Sequence, residues 1–268
     1  MVHQFIKAVI LGVVEGLTEF LPISSTGHLI LINQWIAFDS PFTNMFNIVI
    51  QLGAILSVIV YFRSKLNPWG DNLTKTERQN IINLWKKTVV AIIPAGILGG
   101  LFGDVIEEYL FNPLVVSMAL LFGGIFLLYL ESRNNGGRIR TLEALSYSTA
   151  FMIGIIQCLA MIPGTSRSAA TIIGAMLLGA SRTVAAEFSF FLAIPTMLGA
   201  SVYALMKSGA ELTSVELMTL AIGFIVSFLV AWVVIAGFMN FIRKHSFKPF
   251  AYYRMALGGF ILAYFLIR

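Results

Sequence analysis

The segment Glu15-Gly16-Leu17-Thr18-Glu19-Phe20-Leu21-Pro22-Ile23-Ser24-Ser25-Thr26-Gly27-His28 interrupts an apolar stretch that runs from about residue 4 to residue 36. Pro22 removes a main-chain donor, and the hydroxyls behind it offer an N-cap to whatever helix follows. A second stretch, 144–179, is broken in the same way around Pro163-Gly164-Thr165-Ser166-Arg167-Ser168. In each case the arm after the break is only about 10–14 residues long, short of the ~20 that cross a hydrocarbon core, which predicts a re-entrant hairpin. Irregular backbone at membrane depth survives only where protein or a wet cavity satisfies its polar groups.

The two breaks resemble each other. Gly12-Val13-Val14-Glu15 aligns with Gly154-Ile155-Ile156-Gln157, and after a one-residue gap Pro22-Ile23-Ser24-Ser25 aligns with Pro163-Gly164-Thr165-Ser166. Six uninterrupted apolar runs complete the chain, roughly 44–63, 84–103, 113–131, 184–206, 216–239 and 251–267. A hairpin and three spans thus occur twice within one membrane domain, with halves at about 1–132 and 143–268. Because three is odd, the second copy enters the membrane upside down. The expected fold class is an all-α polytopic membrane protein, with six transmembrane helices and two re-entrant helical hairpins in an inverted-topology repeat.

Composition supports that class. Of 268 residues 58% are hydrophobic and 12% charged, about half the ~25% charge of soluble domains, and the mean hydropathy is +0.86. Lys7 ahead of the apolar Ala8–Val14 suggests a signal peptide, but Glu15 and Glu19 interrupt it and no small-residue cleavage site follows, so the segment reads as retained. Cys158 stands alone, which excludes a disulfide within the chain. No P-loop, CxxC or HExxH occurs. Gly96-xxx-Gly100, Gly99-xxx-Gly103, Gly123-Gly124 and Gly258-Gly259 read as helix-packing positions.

The net charge of +5 is asymmetric along the chain. Fourteen basic residues, among them Lys65, Arg133, Arg138, Arg140, Arg182 and Arg254, fall on one side of the expected spans; Lys7, Lys207 and Arg268 fall on the other. An excess of this kind belongs to cytoplasmic loops rather than to nucleic-acid binding. Both termini and the first hairpin's mouth are therefore expected to face outward, on the side away from the cytoplasm.

Three acidic residues remain inside the expected spans: Glu15, Glu19 and Glu187. Buried charge in a membrane is expensive, so function is its default explanation, with a structural ion pair as the alternative. Glu15 and Glu19 stand at i and i+4 on one helix face. Two carboxylates at that spacing need either a shared proton or a cation, and Mg²⁺ or Ca²⁺ fits oxygen ligands. Glu187 could cap a helix or orient Arg167. The hydroxyls of Ser24, Ser25, Thr26, Thr165 and Ser166 could be caps, yet capping and anion binding are compatible at a helix N-terminus. Arg167 can hold a phosphate by two parallel hydrogen bonds. His28 lies beside three hydroxyls and across from two carboxylates, whereas His3 and His245 sit near segment ends.

The Glu15–His28 segment resembles the first motif of the bacterial undecaprenyl-diphosphate phosphatase family, also called the bacitracin-resistance protein family. Pro163-Gly164-Thr165-Ser166-Arg167-Ser168-Ala169-Ala170-Thr171 resembles the second motif, and the likeness extends through Gln51-Leu52-Gly53 and Glu187-Phe188-Ser189-Phe190 over essentially the whole chain. The resemblance implies a divalent-cation-dependent enzyme that removes the terminal phosphate of a polyprenyl diphosphate carrier. The product monophosphate is reused in peptidoglycan synthesis, and bacitracin competes for the substrate. By motif, Glu15 and Glu19 carry the metal, and Glu19, Ser25, His28 and Arg167 the chemistry. Ser24, Thr26, Gly164, Ser166, Arg167 and Thr171 carry substrate binding. The resemblance leaves a homodimer open, as well as the choice between a serine nucleophile and direct attack by water. A rival class, a transporter or flippase for an anionic polyprenyl lipid, would use the same inverted repeat and broken helices.

Overall fold

The computed structural model describes residues 2–36, 38–70, 72–133, 136–208 and 212–267. The protein is helical throughout this range: α1 (Val2–Thr18), α2 (Ser25–Ile36), α3 (Ser40–Tyr61), α4 (Arg63–Leu66), α5 (Lys75–Leu110), α6 (Pro113–Ser132), α7 (Tyr147–Gln157), α8 (Arg167–Leu177), α9 (Arg182–Ser208), α10 (Ser214–Ile242) and α11 (Lys248–Ile267). A 3₁₀ turn, Cys158–Met161, follows α7. Ile139 and Ala180 form an isolated parallel bridge.

Helices α3, α5, α6, α9, α10 and α11 are long and apolar enough to cross a membrane. Helix α5, at 36 residues, extends past the apolar run expected at 84–103 at both ends, through the polar first turns that begin at Lys75 and on to Leu110. The helices α2 and α8, of 12 and 11 residues, fall short of a span. Local chemistry sets the helix starts. Asn112 accepts from Val115 N at 3.0 Å ahead of Pro113, Ser146 accepts from Thr149 N at 3.0 Å, and Thr213 with Glu216 forms a reciprocal capping box.

The most extensive helix pairs are α3 with α10, α6 with α11, and α1 with α10; α5 packs on α7 and α9, and α3 on α9. Gly12 and Gly154 allow close approach of their helices: a Cβ would meet the Gly223 carbonyl of α10 at 2.8 Å in the first case and the Ala91 carbonyl of α5 at 2.0 Å in the second. Aromatic rings fill the centre, Phe62 against Phe191 with centroids 5.0 Å apart and Phe190 against Phe238 at 5.9 Å. Large apolar side chains such as Leu101, Phe122 and Val233 face outward, as lipid-facing helices require.

Tertiary contacts change several charge assignments. Arg254, expected among the loop charges, is fully buried on α11. Glu131, at the end of the apolar run 113–131, is buried, and its carboxylate accepts from Arg182 Nε at 2.5 Å and from Phe247 N at 3.2 Å. Arg182 is thus the counter-charge of a buried acid rather than a loop residue. Glu187 pairs with Lys65 at 2.7 Å and not with Arg167. Arg268 and the side chain of Lys207 lie outside the described residues.

Candidate active site

The two helix breaks share one cap geometry. Ser24 and Ser166 both have φ of +70°, an uncommon conformation for a residue with a Cβ. Each side chain accepts from the main chain three residues on, Gly27 N to Ser24 Oγ and Ala169 N to Ser166 Oγ, both at 3.3 Å. Gly12 to Ser24 and Gly154 to Ser166 are equal in length, so the one-residue gap expected from the sequence is not needed. In this register Ser24, rather than Ser25, matches Ser166, and Ser25 matches Arg167.

That register lifts Ser25 and Arg167 to the first position of their helices, where each meets Glu19. The Ser25 hydroxyl donates to Glu19 Oε2 at 2.6 Å, and Arg167 donates to Glu19 Oε1 at 3.2 Å. Arg167 also donates to the Ser189 carbonyl at 3.0 Å and lies over the Phe20 ring at 5.8 Å. Glu19 is thus held from both sides by groups delivered by different breaks. Glu15, one turn earlier on α1, is fully buried, and neither of its carboxylate oxygens has a hydrogen-bond partner among the described residues.

The remaining motif residues are less direct. His28 Nδ1–H donates to the Ser24 carbonyl at 2.7 Å, which leaves Nε2 of the neutral ring to accept from the Tyr253 hydroxyl at 2.7 Å. Neither nitrogen is bonded to Ser25 or Glu19. Thr26 is half-buried on the first turn of α2. Ser166 bonds to Ser168 at 3.0 Å, and Ser168 donates to the Leu21 carbonyl at 2.9 Å, which links the two breaks directly. Thr171 and Ser189 have hydroxyls 2.6 Å apart beneath Arg167. Gly164, at φ +92°, packs so tightly on α6 that a Cβ would lie 2.5 Å from the Val116 carbonyl; it serves the backbone path of the break.

Two carboxylates one turn apart, with both Glu15 oxygens orphaned, form a hard donor set that suits Mg²⁺ or Ca²⁺. No group of three His, Cys, Asp or Glu converges among the described residues. A magnesium-type site of one or two carboxylates completed by substrate phosphate therefore fits better than an all-protein cage.

A cavity of about 620 Å³ between α5 and α9 leads to Arg167. Gly96, Gly99, Gly100 and Gly103 line one wall, with Gln157 and Tyr203 among the facing residues. Gly96, Gly100 and Gly103 have open space where a Cβ would stand. These positions, expected to pack against a helix, instead form the wall of a cleft. A larger cavity of about 850 Å³, walled by Trp69, Trp85 and other largely apolar residues, contains none of the motif residues.

The model of the family described as bacitracin resistance protein BacA matches residues 8–260. The chain belongs to that family. It is 50% identical over 266 residues to undecaprenyl-diphosphatase 1 of Clostridioides difficile strain 630, covering 98% of this chain and 97% of the relative. Undecaprenyl-diphosphatase of Limosilactobacillus fermentum is 49% identical, with 98% of each covered. That of Enterococcus faecalis is 48% identical, with coverages of 97% and 96%.

Within this BacA-family site one residue is absent from both motifs. The buried guanidinium of Arg254 donates to four main-chain carbonyls: Pro22 at 3.2 Å, Ala119 at 3.2 Å, Gly164 at 3.4 Å and Thr165 at 2.9 Å. It ties the two breaks to each other and to α6. Gly123 makes the space, since a Cβ there would sit 2.2 Å from an Arg254 nitrogen. The sequence signal was an arginine inside the apolar run 251–267, close enough to its start to read as a loop charge.

Proposed function

We propose that this protein hydrolyses undecaprenyl diphosphate to undecaprenyl phosphate and inorganic phosphate, returning the lipid carrier to peptidoglycan synthesis and thereby conferring bacitracin resistance. The observation that carries the reading is the Ser25–Glu19–Arg167 arrangement: a hydroxyl, a base and a cation suited to phosphate, in contact at 2.6 and 3.2 Å. Relatives bearing the name undecaprenyl-diphosphatase match nearly the full chain.

In this mechanism Glu19 takes the Ser25 proton as Oγ attacks the terminal phosphorus, and the bond to the bridging oxygen breaks to release undecaprenyl phosphate. Arg167 and the main-chain N–H groups at the start of α8 stabilise the oxygens of the transferring group. Glu19 then passes its proton to the departing Ser25 oxygen while water cleaves the phosphoserine. Mg²⁺ or Ca²⁺ held by Glu15 and Glu19 would supply charge neutralisation for the diphosphate. His28, through Ser24 and Tyr253, fixes the start of α2. The prenyl chain fits the glycine-walled cleft between α5 and α9, which ends at Arg167. Bacitracin, which competes for the same lipid, is expected to lower turnover by removing substrate.

Both breaks are read as tips of re-entrant hairpins in an inverted repeat. The matched caps at Ser24 and Ser166 support this, as does a packing pattern that survives exchange of the halves: α1 on α10 as α7 on α5, and α3 on α10 as α9 on α5. With the buried Arg254 and the Glu131-paired Arg182 removed from the count, twelve basic residues still oppose three, which supports a site opening to the periplasm. The test is phosphate release from undecaprenyl diphosphate by the purified protein, with phosphoserine at Ser25 sought after rapid quenching. Absence of phosphate release, with lipid binding retained, would favour a flippase instead.

A further inference from the structure

We propose that Arg133, Arg138 and Arg140 form a binding site for the phosphate of an anionic phospholipid headgroup, separate from the Ser25–Glu19–Arg167 site. The three arginines line one cavity of about 550 Å³ at the exit of α8, and no acidic residue lines it. The full length of α8, about 16 Å, separates this exit from Arg167 at its start.

Three other basic residues on the same side are matched. Lys65 pairs with Glu187 and Arg182 with Glu131, while Lys87 donates to the carbonyls of Leu142 and Glu143 at 3.1 and 3.0 Å. The guanidinium groups of Arg133, Arg138 and Arg140 make no ion pair or hydrogen bond with any described residue. The guanidinium carbon of Arg133 lies 5.3 Å from the Tyr129 ring centroid, a contact that uses none of its N–H groups in a hydrogen bond to a described residue.

Loop charges that only set topology need no fixed geometry, but this loop is held. Arg138 N and Ile139 N both donate to the Gly179 carbonyl at 2.8 Å, and Ser181 N donates back to the Ile139 carbonyl at 2.8 Å. Three guanidinium groups lining one cavity on a held loop can together surround a tetrahedral phosphate. The remaining walls decide between a free anion and a lipid. Leu130, Met176 and Leu177 line the same cavity, and Leu177 is half exposed, so acyl chains can continue along apolar surface while the headgroup meets the arginines. Basic pockets between membrane helices recognise anionic headgroups in this way.

The experiment is native mass spectrometry of the detergent-purified protein, titrated separately with phosphatidylglycerol, phosphatidylcholine and inorganic phosphate. The wild type should bind phosphatidylglycerol at least roughly tenfold more tightly than phosphatidylcholine. The triple variant Arg133→Gln/Arg138→Gln/Arg140→Gln should lose roughly a hundredfold in phosphatidylglycerol affinity, and each single variant roughly fivefold, so a folding defect in the triple variant does not decide the outcome. A control triple at the exposed Lys75, Arg78 and Arg243, also changed to Gln, should stay within about twofold because dispersed surface charges are screened. An equal loss in the control would reduce the effect to diffuse attraction and overturn the proposal. Inorganic phosphate binding as tightly as phosphatidylglycerol, or no preference over phosphatidylcholine, would overturn it as well.

Discussion

Glu19 receives Arg167 from the opposite helix break across 3.2 Å, while its second oxygen receives Ser25 at 2.6 Å. The charge of Glu19 is therefore matched within the protein, whereas the Glu15 oxygens have no hydrogen-bond partner among the described residues, so the two carboxylates differ in environment.

Arg167→Lys should lose on the order of 10²-fold or more in kcat with normal expression, because an ammonium keeps the pairing with Glu19 but not the planar fork that also reaches the Ser189 carbonyl and a phosphate. Arg78→Lys, on the exposed start of α5, is the comparison and should be unchanged. Steady-state phosphate release measures both. Equal turnover in the two variants would leave Arg167 a purely structural partner of Glu19.

Ser25→Ala and Glu19→Gln should each abolish most turnover, and the double variant should be no worse than the more damaged single one, since a nucleophile and its base act as a unit. Additive losses in a kinetic cycle would show that the two residues act in separate steps.

Chelation should stop phosphate release, and Mg²⁺ or Ca²⁺ should restore it. Glu15→Gln should raise the metal concentration needed for half-maximal activity while leaving a residual rate, because Glu19 keeps its partners. Full activity in chelator would replace the cation by a proton shared between Glu15 and Glu19.

Arg254→Met should destabilise the fold by roughly 3 kcal/mol or more, as four carbonyls, two in buried and two in part-buried hydrogen bonds, lose this donor. Gly123→Ala should act in the same direction by displacing the guanidinium. Thermal unfolding in detergent measures both. An unchanged midpoint for Gly123→Ala would mean that Arg254 can move without cost.

With Cys158 replaced, single cysteines at Asn72 and Leu212 should label from opposite sides of intact cells with an impermeant reagent. Both positions are accessible, so labelling of the two from the same side would reverse the assigned relation between the α4–α5 and α9–α10 loops.

The sequence alone determined that this is a helical membrane protein, where its helices break, and which residues the breaks carry. Those properties are local: lipid requires long apolar runs, Pro22 and Pro163 stand where the runs fail, and Ser24 and Ser166 are caps wherever their helices go. Only the tertiary structure decided which charges answer one another. Arg254 and Glu131 look like span-end charges in one dimension and are buried in three, Glu187 answers Lys65 rather than Arg167, and the α5 glycines face a cleft rather than a helix. The physical reason is that the cost of burying a charge, and the space a glycine leaves, are set by atoms from helices distant in sequence; even the register between the two breaks became clear only through the matching φ of Ser24 and Ser166.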